Sequence, residues 1–111
     1  MSSNVYLVFS KKPDEISAEE YDRWYHAHVR ENIVSTGFTS ARRYAITPAT
    51  GTPGPYEHLA LYEYEGDMSI WRQDLTRRIE QGEVVLPPWF KGITFGSWEC
   101  VPIDEKALPE R

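Results

Sequence analysis

Two of the chain's three histidines, His26 and His28, stand two residues apart in its most aromatic stretch, SAEEYDRWYHAHVREN (17–32). Imidazole is the side chain whose ordinary pKa lets it take and give a proton near neutral pH. A His-x-His pair on a strand puts both rings on one face, where one metal ion reaches both. On a helix the two rings diverge by about 200° and cannot share an ion. The element that carries the pair therefore decides its chemistry.

That element reads as a helix. Ser17 followed by Glu20 is a capping box, and the helix is expected to run to about Ser35, with Gly37 as its stop. On a helical wheel with Tyr21 at the origin, Tyr25 falls at about 40° and Asn32 at about 20°. His28 falls at about 340°, Trp24 at about 300° and His26 at about 140°. His28 is thus expected in the middle of the aromatic stripe, facing a sheet, and His26 at its edge or in solvent. A histidine between aromatic rings and a sheet is partly desolvated, which favours its neutral form and suits general acid–base work. The competing reading is a core histidine satisfied by a backbone carbonyl or by Asn32. No metal is expected: there is no cysteine cluster and no H-x-x-x-H spacing, and His58 approaches only one of the pair.

Other residues with chemical potential surround this pair in sequence. Arg42 and Arg43 are adjacent on a strand and point to opposite faces; the two readings are that one reaches a cavity and binds a carboxylate or phenolate, or that both extend to solvent. Tyr25, Tyr44, Tyr62 and Tyr64 offer hydroxyl donors, although a tyrosine at a subunit contact reads the same way. Trp24, Trp98 and the Trp89-Phe90 pair are candidate pocket walls. Asp22 and Glu19 belong on the polar side of the helix. Cys100 has no basic surround and reads as structural. GTPGP (51–55) lacks the lysine and helix of a phosphate loop, and no nicotinamide or flavin fingerprint is present.

The elements that position these residues follow from pattern. NVYLVFS (4–10) is a buried strand. SARRYAIT (40–47) is a second strand and PATGTPGPYE (48–57) a surface loop. HLALYEY (58–64) is a third strand. Asp67 caps a helix over 68–81, with Met68, Trp71, Leu75 and Ile79 at helical spacing and Gly82 at its end. Residues 83–92 read as irregular because Pro87-Pro88 blocks regular structure, and ITFGSWECVPI (93–103) is the last strand. The order β-α-β-β-α-β predicts an α+β, ferredoxin-like architecture: a four-stranded antiparallel sheet with two helices on one face. The opposite sheet face needs a cover, and a second copy of the chain supplies it, so a homodimer is expected.

Length and composition agree with this frame. The 111 residues fit one domain spanning 1–111, with a core of about 4–103 and a charged tail over 104–111. A net charge of −5 with scattered lysine and arginine argues against nucleic acid and anionic membranes as partners. No run approaches the ~20 apolar residues that span a bilayer. The first ten residues do not read as a signal peptide. With a single cysteine no internal disulfide forms, which fits a reducing cytoplasm.

EEYDRWYHAHVRENIVSTGFTSARRY (19–44) together with YEHLALYEYEGD (56–67) resembles the dimeric α/β-barrel superfamily, and within it the EthD-like proteins. The residues that carry the resemblance are Trp24, Tyr25, His28, Gly37, Phe38, Arg42, Arg43, Tyr44, Leu59, Ala60, Tyr62 and Glu63, and it spans about 4–103. The family turn is often proline-glycine, where this chain has Thr36-Gly37. The resemblance implies a dimer with a cavity between sheet and helices, and it places the family histidine on His28. It leaves the reaction open, because the superfamily includes cofactor-free monooxygenases, isomerases, cyclases and haem-degrading enzymes.

The leading expectation is a cofactor-independent enzyme acting on a small apolar aromatic or polyketide-like substrate, as an isomerase, cyclase or lyase. His28, Tyr25 and Arg43 would be catalytic, and Trp24, Tyr44, Tyr62 and Trp98 would bind the substrate. The alternatives are a cofactor-free monooxygenase of phenols and a non-catalytic dimer that binds aromatic molecules.

Overall fold

The computed structural model describes residues 4–34 and 37–110. In chain order the elements are β1 (Asn4–Lys11), α1 (Ala18–Asn32), β2 (Phe38–Ala45), β3 (His58–Tyr64), α2 (Met68–Glu80) and β4 (Thr94–Cys100), with a 3-10 turn at Pro88–Gly92 before β4. The strands form one sheet in the order β2-β3-β1-β4, and every neighbouring pair is antiparallel. This is the ferredoxin-like arrangement expected from the pattern.

The helices begin where their caps dictate. The Ser17 hydroxyl accepts from the Glu20 amide at 3.1 Å, and the Asp67 carboxylate accepts from the Ser69 amide at 2.8 Å. Each bond satisfies an amide that a helix start would otherwise leave open. Acidic Glu19 and Glu20 in the first turn of α1 and basic Arg30 in its last turn complement the helix dipole.

Alternation along the strands sorts the sheet into two faces. Tyr6, Val8 and Ser10 of β1, Ala60, Tyr62 and Tyr64 of β3, and Ala41 and Arg43 of β2 share the face that the helices cover. The core there is unusually rich in tyrosine, and two of its most buried hydroxyls are paired as burial requires. Tyr21, fully buried, donates to Ser10 Oγ at 2.7 Å, and Asn32 Nδ2 donates to the Tyr62 hydroxyl at 3.0 Å. A second cluster, Tyr64, Met68 and Trp71, seats α2. On the opposite face lie Leu7, Phe9, Leu59, Leu61 and Trp98, an apolar surface that neither helix covers; Tyr56 of the loop before β3 packs on Phe9 at 5.8 Å.

Several boundaries differ from the expectation, among them the end of β2 at Ala45 rather than Thr47. Helix α1 gives way at Ile33, whose amide still bonds Val29 O at 3.2 Å; the expected end at Ser35, with Thr36, lies outside the described residues. Strand β2 starts at Phe38 rather than Ser40, because a register shift between Phe38 and Ser40 lets it keep pairing with β3 to Tyr64. Gly37 makes this entry possible: its φ is +105°, and a Cβ there would sit 3.1 Å from Glu65 O, whose own amide bonds Gly37 O at 2.9 Å. Strand β4 stops at Cys100 rather than Ile103, since its last β1 partner is Val5 and Pro102 has no amide to continue the ladder. The segment after Pro87 is a turn of 3-10 helix, which accepts Pro88 at its first position because that amide needs no partner.

Candidate functional site

The buried stripe of α1 is Tyr21, Tyr25, Val29 and Asn32. Val29 falls at about 80° on the same wheel, so the stripe centres near Tyr25 rather than on His28. His28 is therefore not in the middle of the stripe. It is half-buried on its flank, one turn beyond Trp24. The two rings stack, with centroids 4.6 Å apart and planes 16° from parallel, and Tyr25 presents its edge to the imidazole at 5.8 Å. Trp24 is in turn framed by Trp89 at 5.1 Å and Phe90 at 5.8 Å, both edge-on. Trp89 Nε1 donates to Glu20 Oε2 at 3.0 Å, which ties the 3-10 turn to the start of α1. The result is an aromatic wall with one imidazole set in it.

The imidazole is neutral at ordinary pH. Burial lowers its pKa from 6.5 to about 4, and no charged neighbour opposes the shift. Its Nδ1 is shielded and has no hydrogen-bond partner among the described residues. Among the described residues neither a backbone carbonyl nor Asn32 pairs with that nitrogen; the Asn32 amide is turned to Tyr62 instead. His26, by contrast, is exposed, and its Nδ1 lies 3.2 Å from Arg30 on the next turn. The pair is split as the helix geometry requires.

Tyr25 links His28 to Arg43. The guanidinium carbon lies 4.9 Å over the Tyr25 ring, and Arg43 Nη2 pairs with Asp22 Oδ1 at 2.9 Å. Arg43 is the inward member of its pair; Arg42 faces the other side of the sheet. Burial raises the Tyr25 hydroxyl far above its ordinary range, with Tyr62 and Tyr21 adding to the shift. Burial also pushes Tyr62 up to about 12 despite its bond from Asn32. Both phenols keep their protons.

Tyr44 and Trp98 do not join this group. Tyr44 follows Arg43 on β2 and so turns outward; it is 41% exposed. Trp98 pairs with Leu7 on the open face, packs edge-on to Phe9 at 5.6 Å and is 53% exposed. The sheet stands between both rings and His28. Strand alternation was legible in each run, but the face of β4 depends on its register with β1, which the sequence does not state.

Sequence reasoning also missed a concavity of about 540 Å³ between α1 and β2, lined by Asp22, Arg23, His26, Arg43, Tyr44 and His58 among others. His28 is not on its wall. His58 has the same strand parity as Ala60 and Tyr62, and that parity was the available signal that it faces α1. Among the described residues no group of three or more His, Cys, Asp or Glu side chains is assembled to hold a metal ion. No helix among them is long and apolar enough to cross a membrane.

No protein-family model matches the chain, and no curated protein matches it. Solved structures do. The chain is similar to a "putative monooxygenase" from Shewanella loihica PV-4, with 18% identity and a TM-score of 0.57 over 94% of this chain and 98% of that one. It is also similar to a dimeric ferredoxin-like protein from an uncultured marine organism, with 10% identity and a TM-score of 0.49 over the same shares. At these identities the likeness is one of fold.

Proposed function

We propose that this chain is an EthD-like member of the dimeric α/β-barrel superfamily, a cytoplasmic, one-domain homodimer that converts a small apolar aromatic or polyketide-like molecule without a cofactor. The observation that carries this reading is the Trp24–His28 stack: a neutral imidazole, kept uncharged by burial, set in an aromatic wall. A flat substrate lying against that wall presents an acidic C–H or O–H to the imidazole. His28 takes the proton, the electron pair moves into the enolate or phenolate, and the imidazolium returns the proton at the new position. The imidazolium is unstable in its apolar setting by itself. The substrate anion formed in the same step offsets that cost, so the two charges appear and vanish together. Tyr25 is the neutral phenol beside His28, and Arg43 over its ring polarises it toward donation.

The test is a thermal-shift screen of phenols, lactones and aromatic ketones on wild type and His28→Ala, followed by turnover assays on the hits. A ligand at about 100 times its dissociation constant stabilises the folded state by about 2.7 kcal/mol. The expected result is a hit that weakens in the variant, with turnover falling about 10²–10⁴-fold. Turnover unchanged in a folded His28→Ala protein sinks the proposal. Binding without turnover in wild type selects the reading of a ligand-binding dimer.

The name of the Shewanella neighbour motivates a second reading, oxygenation of a phenol without a cofactor. Conversion that stops under nitrogen selects it; conversion that continues returns the case to isomerisation, cyclisation or lysis.

A further inference from the structure

We infer that the concavity between α1 and β2 is a second binding site, one for a small monocarboxylate with an apolar body, with Arg43 and His58 holding the carboxylate.

The site is separate from the aromatic wall, since neither Trp24 nor His28 lines it. Its volume of about 540 Å³ lies in the range of small-molecule pockets. Its charge runs against that of the chain. Arg23 and Arg43 face a single carboxylate, Asp22, so these three groups leave the wall one net positive charge, whereas the whole chain carries −5. A monoanion balances such a wall, while a dianion meets repulsion from Asp22. A cation is excluded by the two guanidinium groups.

The donors are fixed to different degrees, and that difference matters. Arg43 is held by the Tyr25 ring beneath its guanidinium carbon, and its side chain is 21% exposed. Its partner Asp22 is 58% exposed. The pair is thus one anchored guanidinium and one solvated carboxylate, and an exposed ion pair of this kind is worth little. Arg43 Nη1 also donates to the Asp22 backbone carbonyl, at 3.4 Å, so an incoming carboxylate takes the place of the Asp22 side chain on Nη2 and completes the fork as that long bond yields. His58 supplies an independent observation. Its ring lies 5.5 Å from that of Tyr21, and its Nδ1 is buried with no hydrogen-bond partner among the described residues. Buried polar atoms are seldom left open; Nδ1 is shielded as the ring stands, and a flip of the ring turns it to the concavity that His58 lines, where a ligand oxygen satisfies it. Much of the remaining lining is apolar, with Tyr44 and Ala45 at the edge of β2 contributing, and suits the body of the ligand.

The experiment is an NMR titration of the full chain with benzoate, reading the Arg43 side chain and the His58 ring, with benzyl alcohol and inorganic phosphate as parallel arms. The expected result is a saturable benzoate response, weaker with phosphate and missing with the alcohol. In Arg43→Gln, folded by the same spectra, affinity drops about tenfold or more, the equivalent of one charged hydrogen bond. In Asp22→Asn, which keeps Arg43 and removes its competing carboxylate, benzoate binds more tightly; this second variant serves if Arg43→Gln does not fold. Arg43 serves in both readings, but His28→Ala leaves the benzoate response in place, so failure of the catalysis proposed for His28 is distinguishable from failure of this site. No saturation in wild type, or equal affinity in Arg43→Gln, overturns the inference, as does weaker binding in Asp22→Asn. A stronger response to phosphate than to benzoate overturns the assignment to carboxylates.

Discussion

At the scale of single residues, His28 is the most exacting test of the structure. Its folded-state pKa of about 4 lies below the ordinary 6.5. Between those values the unfolded chain binds a proton that the folded chain does not, so stability falls as pH drops through that window. The contribution is fully present above about 6.5 and exhausted below about 4. Thermal denaturation of wild type and His28→Gln across this range should show a shallower pH slope in the variant. Equal slopes mean that the imidazole is solvated. Asn32 is a second such residue. It is 5% exposed, and its amide is the donor to the buried Tyr62 hydroxyl. Asn32→Leu leaves that hydroxyl unpaired, at a cost of about 1–3 kcal/mol. Combining it with Tyr62→Phe should cost less than the sum of the two single changes, since the second change removes the stranded group. Additivity in denaturant melts counts against the bond.

Elements respond to their ends and their register. Ser17→Ala removes the cap of α1 and should cost about 1 kcal/mol, a fall of several degrees in Tm that calorimetry resolves. No change means that the Glu20 amide is satisfied by water. The two helices and β3 were legible because each carries a complete local signal: a capping residue with helical apolar spacing, or a bounded apolar run. The ends of β2 and β4 were not, because a strand stops where its neighbour stops. Strand β4 runs out of partner at Val5, and β2 gains two residues through a register shift against Tyr64 and Glu63.

For the whole molecule, the open sheet face is the feature with the largest consequence. Leu7, Phe9, Leu59, Leu61 and Trp98 form a contiguous apolar surface on the side away from the helices, and such surfaces mark association sites. The homodimer proposed here covers it. Sedimentation should give a dimer for wild type and a monomer for Trp98→Arg, because a buried unpaired charge at the contact is costly. A dimer that survives the substitution places the contact elsewhere.

The sequence by itself determined the element order, the ferredoxin-like topology, the solvent side of His26 and the opposite facing of Arg42 and Arg43. These depend on helical and strand periodicity, which are local. Only the tertiary structure decided that His28 stands on the flank of its helix against Trp24. It alone put Trp98 and Tyr44 beyond the sheet, and brought His58 within one concavity with Arg43 and Asp22. Those placements depend on how a helix is rolled on its sheet and on which residue of one strand meets which of another. Both are fixed by packing between segments far apart in the chain, for which no single stretch of residues carries a sign.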